Sequence, residues 1–298
     1  MGWADGCAES WVGLGIDLSE FRLLVSGGFM MSRQEFADAG LAISREANVM
    51  DKMHAYFVQH AERLYKTSRR FHLLDRKLGD VLEIGPFYGY LPFLLQPNAS
   101  SYTILEGDDT VAYALKPLYE KRGIAAHYVD LFEMFGPIHS ATHTLPFAEG
   151  SFDTLICWGT MEHFNFNPAK FVRQLHRVLK PGGKVYIQVP NRVSLQNLVI
   201  MLFGREEHRS IDYYYDWEDY VSNGKKAFYG FHWREYSPGE LEHLFAKAGF
   251  QIRSCKTFVS FQILGRASLA RSMARFATRM VGTLIPRYAG DVDLVAEK

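Results

Sequence analysis

The sequence predicts an α/β protein whose central sheet is mostly parallel and carries helices on both faces. From residue 80 onward, short apolar segments of strand length alternate with segments whose apolar residues recur every three or four positions. Glycine and proline mark many of the boundaries between them. Strands that alternate with helices in this way form βαβ units, which build a parallel sheet covered on both sides.

The individual elements can be assigned in order along the chain. Strands are predicted at 80–84, 102–105, 125–129, 152–158, 184–189, 251–259 and 293–296. Helices are predicted at 32–70, 88–95, 110–122, 168–179 and 238–248. The fourth helix is expected to stop at the turn Pro181-Gly182-Gly183. Ser237, Pro238 and Glu240 give the last helix an N-terminal capping signal.

Segments outside this alternation define the domain organisation. A capping box of Ser32 and Glu35 starts the first helix, so the residues before it are expected to be a disordered extension. The expected segments are that extension at 1–31, a helical cap at 32–74, and a main domain at 75–298 that includes a substrate-side insertion at 205–236 and a basic amphipathic helix at 265–286.

Composition narrows the functions open to the chain. Its 33 Lys and Arg residues balance 33 Asp and Glu residues, so no global charge draws it toward nucleic acid. Cys7, Cys157 and Cys255 form no CxxC pair, which argues against a zinc cluster or a disulfide framework, and no metal ligand is predicted. No apolar run reaches the ~18 residues of a membrane span. We therefore expect a cytoplasmic protein that binds a small acceptor rather than nucleic acid.

The strongest functional signal is the turn after the first predicted strand. Glu83 ends that strand, and Gly85, Pro86 and Gly89 follow it. Glycines let the backbone approach a ligand, and the amides of the next helix point toward it. Glu106 ends the second strand about twenty residues further on, where a carboxylate accepts hydrogen bonds from both ribose hydroxyls. The pattern predicts a nucleoside site.

The glycine spacing separates two classes of ligand. Dinucleotide enzymes carry GxGxxG because a pyrophosphate sits on the helix end. Here Pro86 stands where the second glycine would be, so the turn suits a nucleoside without a phosphate. S-adenosylmethionine is such a ligand, whereas a nicotinamide-dependent oxidoreductase is disfavoured.

Over roughly residues 75–298 the chain resembles class I S-adenosylmethionine-dependent methyltransferases of the small-molecule and glycan-modifying type. The matching motifs are Glu83, Gly85 and Gly89, then Glu106-Gly107, Val129-Asp130-Leu131, Leu145-Pro146-Phe147, Phe152 to Cys157, Glu162-His163, and Arg177 to Gly183. The resemblance implies a Rossmann-like sheet of seven strands with the last antiparallel. It also implies S-adenosyl-L-methionine as cofactor and S-adenosyl-L-homocysteine as product.

Ten residues are predicted to contact this cofactor. They are Glu83, Gly85, Pro86, Gly89, Glu106, Gly107, Asp130, Leu131, Trp158 and Gly159. By resemblance Asp130 and Leu131 flank the adenine, although an Asp after a strand also commonly caps a turn. Trp158 and Gly159 end the fourth strand near the reacting methyl group, where packing would explain them equally well.

Two histidines are candidates for the catalytic base. Methyl transfer is an in-line displacement that needs a positioned nucleophile and exclusion of water. A hydroxyl nucleophile is helped by a base, and His163 and His232 are the candidates. We therefore predict O-methylation of a small-molecule or saccharide-type acceptor. The predicted substrate-binding residues are Tyr213, Tyr214, Tyr215, Trp217 and Arg234.

Several alternatives stay open at the level of sequence. The chain could methylate nitrogen or carbon of a small molecule or lipid-linked acceptor, or bind cofactor as a non-catalytic scaffold. His163 could be purely structural, the aromatic cluster could pack as a lid, and Arg234 could pair with Glu235. The turn at Pro190-Asn191 slightly favours a saccharide acceptor.

The basic amphipathic helix has two interpretations. Arg271, Arg275 and Arg279 form one stripe, and apolar residues form another. Such a helix fits a peripheral contact with an anionic membrane or an anionic acceptor. It equally fits a core-packing helix with a solvated outer face.

Overall fold

The structure is a computed structural model that describes residues 31–46, 50–107, 110–136, 142–202, 232–259 and 280–298. Seven strands form one sheet in the order β3-β2-β1-β4-β5-β7-β6. They are β1 (Gly79–Ile84), β2 (Ala99–Glu106), β3 (Ala125–Tyr128), β4 (Phe152–Trp158), β5 (Leu179–Pro190), β6 (Gln251–Phe258) and β7 (Asp291–Glu297). β7 is antiparallel to both of its neighbours, and the other pairs are parallel. The predicted fold class is confirmed.

Eight helices of the described residues flank the sheet. They are α1 (Arg33–Glu46), α2 (Met50–Arg70), α3 (Tyr90–Leu95), α4 (Thr110–Lys121), α5 (Leu131–Phe135), α6 (Pro168–Val178), α7 (Leu195–Leu202) and α8 (Pro238–Lys247). Two apolar cores lie on opposite faces of the sheet, so the central strands are buried on both sides, whereas the edge strands β3 and β6 are not. This explains why β1 and β4 appear as nearly continuous apolar runs rather than alternating ones.

The amino-terminal segment forms two helices instead of the single predicted run over 32–70. Phe36 on α1 stacks against Phe57 on α2, with ring centroids 6.4 Å apart. Each ring is 1% exposed. A continuous helix would have left part of this apolar surface in solvent, whereas two packed helices bury it. The capping box that starts α1 is present, since Ser32 Oγ accepts a hydrogen bond from Glu35 N at 3.2 Å.

The turn Pro181-Gly182-Gly183 does not separate α6 from β5 as predicted. β5 begins at Leu179, directly after α6, and the turn lies inside the strand at a register irregularity opposite β4. Lys298 holds it there, because its N–H donates to Gly183 O at 3.1 Å and its carbonyl accepts from Gly182 N at 3.0 Å. No local pattern in the sequence indicates this long-range contact with residue 298.

α2 runs along the sheet from the turn after β1 to β7. Near its start, Phe57 packs on Tyr90 of α3, with ring centroids 4.4 Å apart. Near its end, Arg70 Nη2 lies 2.6 Å from the Asp293 carboxylate on β7. α2 is therefore attached to α3 near its start and to the sheet at its end.

Some predicted segments lie outside the described residues. This applies to the extension up to residue 30, to 205–231 of the insertion and to 265–279 of the basic helix. In the described end of that helix, Met280 and Leu284 are exposed. Among the described residues, none of the helices has the length and apolar character needed to cross a membrane.

Candidate active site

The turn after β1 has the left-handed backbone that its glycines permit. Gly85 and Gly89 have φ of 67° and 68°, and Phe87 between them has φ of 54°. A Cβ atom at Gly89 would lie 2.2 Å from Tyr119 Oη, and one at Gly85 would lie 2.4 Å from Thr160 Cγ2. Both glycines are thus required by conformation and by close packing. The strained Phe87 marks this turn as a functional segment rather than an ordinary loop.

The Glu106 carboxylate joins the end of β2 to this turn. Its Oε2 accepts a hydrogen bond from Phe87 N at 2.7 Å, and its Oε1 accepts one from Gly107 N at 2.9 Å. The Glu106 side chain is buried. Burial, and then the charge of Glu106, raises the pKa of the Tyr119 hydroxyl. The predicted proximity of the acid and the glycine turn is therefore present in the structure.

Glu83 lies deeper in the sheet than the other predicted cofactor contacts. Tyr102 Oη donates a hydrogen bond to Glu83 Oε2 at 2.5 Å, and the residue is 3% exposed. Burial raises the pKa of Glu83 to about 8, with the nearby Glu106 charge adding to the increase. Its carboxyl is consequently largely protonated at neutral pH. Its cofactor contact stays a prediction.

Asp130 caps α5 at the end of β3. Its Oδ1 accepts hydrogen bonds from Phe132 N at 2.8 Å and Glu133 N at 3.1 Å. Leu131 is the first residue of the helix. The capping interpretation of Asp130 is therefore correct, and the contact of this pair with an adenine stays a prediction.

The end of β4 lies beside the turn after β1. Thr160 Oγ1 lies 3.1–3.3 Å from three carbonyl oxygens, those of Ile84, Gly85 and Trp158, so its single hydroxyl proton can be donated at either strand end. Trp158 packs on Phe71 at a ring-centroid distance of 5.5 Å. Its Nε1 is buried and has no hydrogen-bond partner among the described residues. A buried donor of this kind calls for a polar ligand or a water.

α2 supplies site residues that the sequence interpretation missed. The ring of Tyr56 lies 5.5 Å from that of Phe87 and 4.9 Å from that of Tyr88, in the turn after β1. Arg63 Nη2 lies 3.9 Å from where a Cβ would stand on Gly159, and Arg63 Nε is buried without a partner among the described residues. The sequence signal that could have identified Arg63 is a polar residue on the face of the predicted helix that packs against the protein.

His60 lies on α2 one turn before Arg63. Burial, and then the charge of Arg63, lowers the pKa of His60 to about 4, so its ring is neutral at physiological pH. The neutral ring of His60 packs on the ring of Tyr56, with ring centroids 4.3 Å apart.

Both candidate bases meet at the carboxyl end of β4. His163 ends a 3-10 turn after the strand, and its ring centroid is 5.0 Å from that of His232. His232 Nδ1 donates a hydrogen bond to Glu235 Oε1 at 3.0 Å. Glu235 Oε2 in turn accepts from Asn197 Nδ2 at 2.7 Å. The structure thus brings together two histidines that are 69 positions apart (232 − 163).

Glu162 completes this group. Burial raises the pKa of its carboxyl to about 7, and the neighbouring His232 acts in the opposite direction. For His232, burial disfavours the charged ring, but the Glu235 hydrogen bond and the charges of Glu162 and Glu235 outweigh it. The pKa of His232 is therefore above its ordinary value. A buried carboxyl and an imidazole whose pKa values are both raised, lying next to each other, are typical of a reactive site.

The predicted substrate contacts are only partly within the described residues. Tyr213, Tyr214, Tyr215 and Trp217 lie outside them. Arg234 pairs with Glu240, Nη2 to Oε1 at 3.1 Å, and not with Glu235, so the expected alternative pairing is wrong. Glu235 is held by His232 and Asn197 instead.

The turn at Pro190-Asn191 has a structural role. Asn191 is fully buried, and its Nδ2 donates to Arg287 O at 3.0 Å and Ala289 O at 2.7 Å. These bonds tie β5 to the segment before β7. The turn therefore carries no independent argument for a saccharide acceptor.

Comparison with known proteins adds evidence beyond this geometry. A family model described as a methyltransferase domain matches residues 57–254. An S-adenosylmethionine-dependent methyltransferase of Mycolicibacterium smegmatis is 24% identical over 212 residues, which cover 71% of this chain and 65% of that protein. A ubiquinone biosynthesis O-methyltransferase of Pseudomonas aeruginosa is 29% identical over 128 residues, covering 41% of this chain and 51% of that protein. The chain thus matches less than two thirds of the length of these relatives.

A solved structure shows the same fold over nearly the whole chain. It comes from the complex between the Haloferax volcanii Trm112 methyltransferase activator and a methyltransferase. The match has a TM-score of 0.52 at 15% identity and covers 93% of this chain and 97% of that chain. At this identity the likeness establishes the fold alone.

The fold and the site define a Rossmann-like α/β protein that presents a glycine turn and an acidic residue at the ends of two neighbouring strands. The chain belongs to the methyltransferase domain family, whose model covers well over half of it. The prediction that this chain is a methyltransferase with a Rossmann-like fold is thereby confirmed at the level of the family and the fold.

Proposed function

We propose that this chain transfers the methyl group of S-adenosylmethionine to an oxygen atom of a small-molecule or saccharide-type acceptor, with a histidine as base. The observation that carries the proposal is the hydrogen-bonded series Asn197–Glu235–His232, which ends next to His163 and Glu162. In open α/β sheets, ligands bind outside the carboxyl ends of the strands, which is where this series ends.

His232 is the preferred base because its orientation is fixed. The Glu235 carboxylate accepts a hydrogen bond from the Nδ1–H group of His232, so the neutral ring carries its lone pair on Nε2. The raised pKa makes that nitrogen a stronger proton acceptor than an unperturbed imidazole. His163 is the second candidate, since its ring borders the same space.

The residues around the glycine turn fit the cofactor. Two buried donors without partners among the described residues, Trp158 Nε1 and Arg63 Nε, suit the carboxylate of an amino-acid tail. Glu106, held toward the turn, suits the ribose hydroxyls. When bound, S-adenosylmethionine supplies the electrophilic methyl group. The proposed contacts are Glu83, Gly85, Pro86, Gly89, Glu106, Gly107, Asp130, Leu131, Trp158, Gly159 and the newly assigned Arg63.

The choice of oxygen rests on the base and on one relative. An acceptor hydroxyl gains most from a proton acceptor, whereas a neutral amine or thioether needs little help. The Pseudomonas aeruginosa relative is named as an O-methyltransferase and matches 41% of this chain. Methylation of nitrogen or carbon, on a small molecule or a lipid-linked acceptor, is the alternative outcome of the test, as is a binding scaffold without turnover.

The test is transfer of labelled methyl groups from S-adenosylmethionine to a metabolite extract, followed by identification of the labelled atom. We expect His232→Gln to lower kcat by about 10²- to 10⁴-fold, the usual contribution of a general base. His243→Gln, an exposed histidine on α8, is the matched control and should leave kcat unchanged. Label on nitrogen or carbon would overturn the O-methylation proposal, and cofactor binding without turnover would favour the scaffold.

The cellular setting follows the same proposal. We place the chain in the reducing cytoplasm, supported by the free thiols of Cys157 and Cys255 among the described residues. The predicted basic helix at 265–286 would bring it to an anionic surface or acceptor. Sedimentation of the chain with anionic vesicles but not with neutral vesicles would support that contact. Equal sedimentation with both would contradict it.

A further inference from the structure

The carboxyl end of β4 carries a cluster that the proposed reaction does not fully use. One ligand atom from each of Glu162, His163 and His232 lies within 4.8 Å of the others. Glu162 is 3% exposed, and its Oε2 is buried with no hydrogen-bond partner among the described residues. A buried carboxylate oxygen without a partner is costly, so it calls for a cation or a donor at that position.

We propose that Glu162, His163 and His232 form a binding site for a divalent transition-metal ion. Two imidazoles and one carboxylate are a donor set that suits zinc, ferrous iron, cobalt or manganese, whereas magnesium prefers oxygen ligands throughout. Binding of zinc would require each of the three atoms to come to ~2.0–2.2 Å from the ion.

The surroundings of His232 resemble the support that metal-binding histidines receive. Glu235 accepts the Nδ1 proton at 3.0 Å, so the nitrogen offered to an ion is Nε2. Asn197 fixes the other Glu235 oxygen at 2.7 Å. A carboxylate behind a metal-bound imidazole sets its tautomer and increases its donor strength. The same two bonds that orient a base therefore also orient a ligand.

The local charges favour a cation. Glu162, Glu235 and Asp291 are the carboxyl groups that act on this cluster, and Arg63 is the cationic side chain that acts on it. With the acids ionised and both histidines neutral, as metal ligands must be, three carboxylates face one guanidinium. A divalent ion would neutralise this excess of negative charge.

Three protein ligands leave coordination positions open, as in catalytic metal sites. An acceptor with two adjacent oxygens, such as a vicinal diol or a hydroxy ketone, is the chemical class that could occupy them. This step rests on the proposed O-methylation. A coordinated hydroxyl is more acidic than a free one, so with an ion bound the acceptor would lose its proton to solvent water, and His232 would act as a ligand instead of as the base.

The experiment uses the full chain without an affinity tag, first treated with EDTA. Co²⁺ binding is followed by visible absorption and Zn²⁺ binding by calorimetry. We expect one ion per chain, and at least about tenfold weaker binding by Glu162→Gln and by His232→Gln. The exposed control His243→Gln should bind as the wild type does. Equal affinity in the wild type and in Glu162→Gln would overturn the site.

A second variant and a second ligand protect this test from misfolding. Glu235→Gln keeps all three ligands but weakens their support, so binding should fall about 10- to 100-fold. Binding of S-adenosylhomocysteine by the same samples reports the folded cofactor site. Cofactor binding without Co²⁺ binding would overturn the metal site and leave the proposed function intact. Co²⁺ binding without cofactor binding would support the metal site and contradict the proposed function.

Discussion

Phe87 N donates a 2.7 Å hydrogen bond to Glu106 Oε2, which links the turn after β1 to the end of β2. One contact thus fixes both the backbone that would face the cofactor and the carboxylate that would hold its ribose. Because the acceptor is ionised, this bond is stronger than one between neutral groups. Positive φ at Phe87 is the conformational cost that the bond helps to offset.

Replacing Glu106 with alanine should greatly weaken cofactor binding. The change removes the charged acceptor for the ribose and the bond that shapes the turn, at about 1.5–3 kcal/mol for each hydrogen bond to a charged group. We expect the Kd for S-adenosylhomocysteine, measured by calorimetry, to rise at least about tenfold. Glu120→Ala, on the exposed face of α4, is the control. Unchanged affinity in Glu106→Ala would contradict the assigned ribose site.

Glu235→Gln should shift the pH profile of methyl transfer. The negative charge of Glu235 and its hydrogen bond raise the pKa of His232. Without them the ring stays neutral, and able to accept a proton, down to a lower pH. The acidic limb of kcat against pH should therefore move to lower pH in metal-free buffer. Glu242→Gln, exposed on α8, should keep the wild-type profile. A shift to higher pH would exclude His232 as the base.

Arg70→Met should destabilise the fold more than Arg69→Met. Arg70 pairs with Asp293, which is 3% exposed, so the substitution leaves a buried carboxyl without its cation. Breaking a buried pair from one side costs about 3–5 kcal/mol. Arg69 pairs with the more exposed Asp75, where about 0–1 kcal/mol is at stake. Urea unfolding measures both, and equal losses would contradict the importance of the α2–β7 contact.

The stability difference between wild type and Asp293→Asn should depend on pH. Burial raises the pKa of Asp293 to about 6, from an ordinary value of 3.8, although Arg70 opposes the shift. Between those values the folded state holds more protons than the unfolded state, so the Asp293 carboxyl stabilises least at the upper end. Relative to Asp293→Asn, the wild type should lose stability as pH rises from about 4 to about 6. Parallel pH profiles would show that Asp293 has no shifted pKa.

Gly89→Ala should be more destabilising than Gly123→Ala. Both residues have positive φ, 68° and 67°, so each pays about 1 kcal/mol of backbone strain. A Cβ at Gly89 also meets Tyr119 Oη at 2.2 Å, whereas nothing lies within 4 Å at Gly123. We expect an unfolding free energy at least about 1 kcal/mol lower for Gly89→Ala than for Gly123→Ala. Thermal or urea unfolding gives the comparison.

The order and type of the strands could be predicted from the sequence because each is a short apolar run closed by a breaker. β4 matches its prediction at both ends, Phe152 and Trp158. The prediction that the Pro-Gly-Gly turn separates α6 from β5 was wrong because the position of the turn depends on Lys298, more than a hundred residues away. Local signals contain no information on such partners.

The site was predicted in part for the same reason. The proximity of Gly85 and Glu106 follows from β1 and β2 being parallel neighbours, so spacing alone indicated it. Arg63 was not predicted as a site residue because α2 contacts the site from outside the sheet. No spacing rule connects Arg63 to Gly159. The grouping of Glu162 with His232 likewise depends on how the segment before α8 folds back on β4.

The attachment of α2 at both ends has a consequence for how the protein can be divided. A fragment that begins after residue 70 would retain all seven strands. It would nevertheless lack Tyr56, which lies beside the turn after β1, and Arg63, which lies beside Gly159 at the end of β4. The part of the chain that contains every strand is thus smaller than the part expected to work as a catalyst.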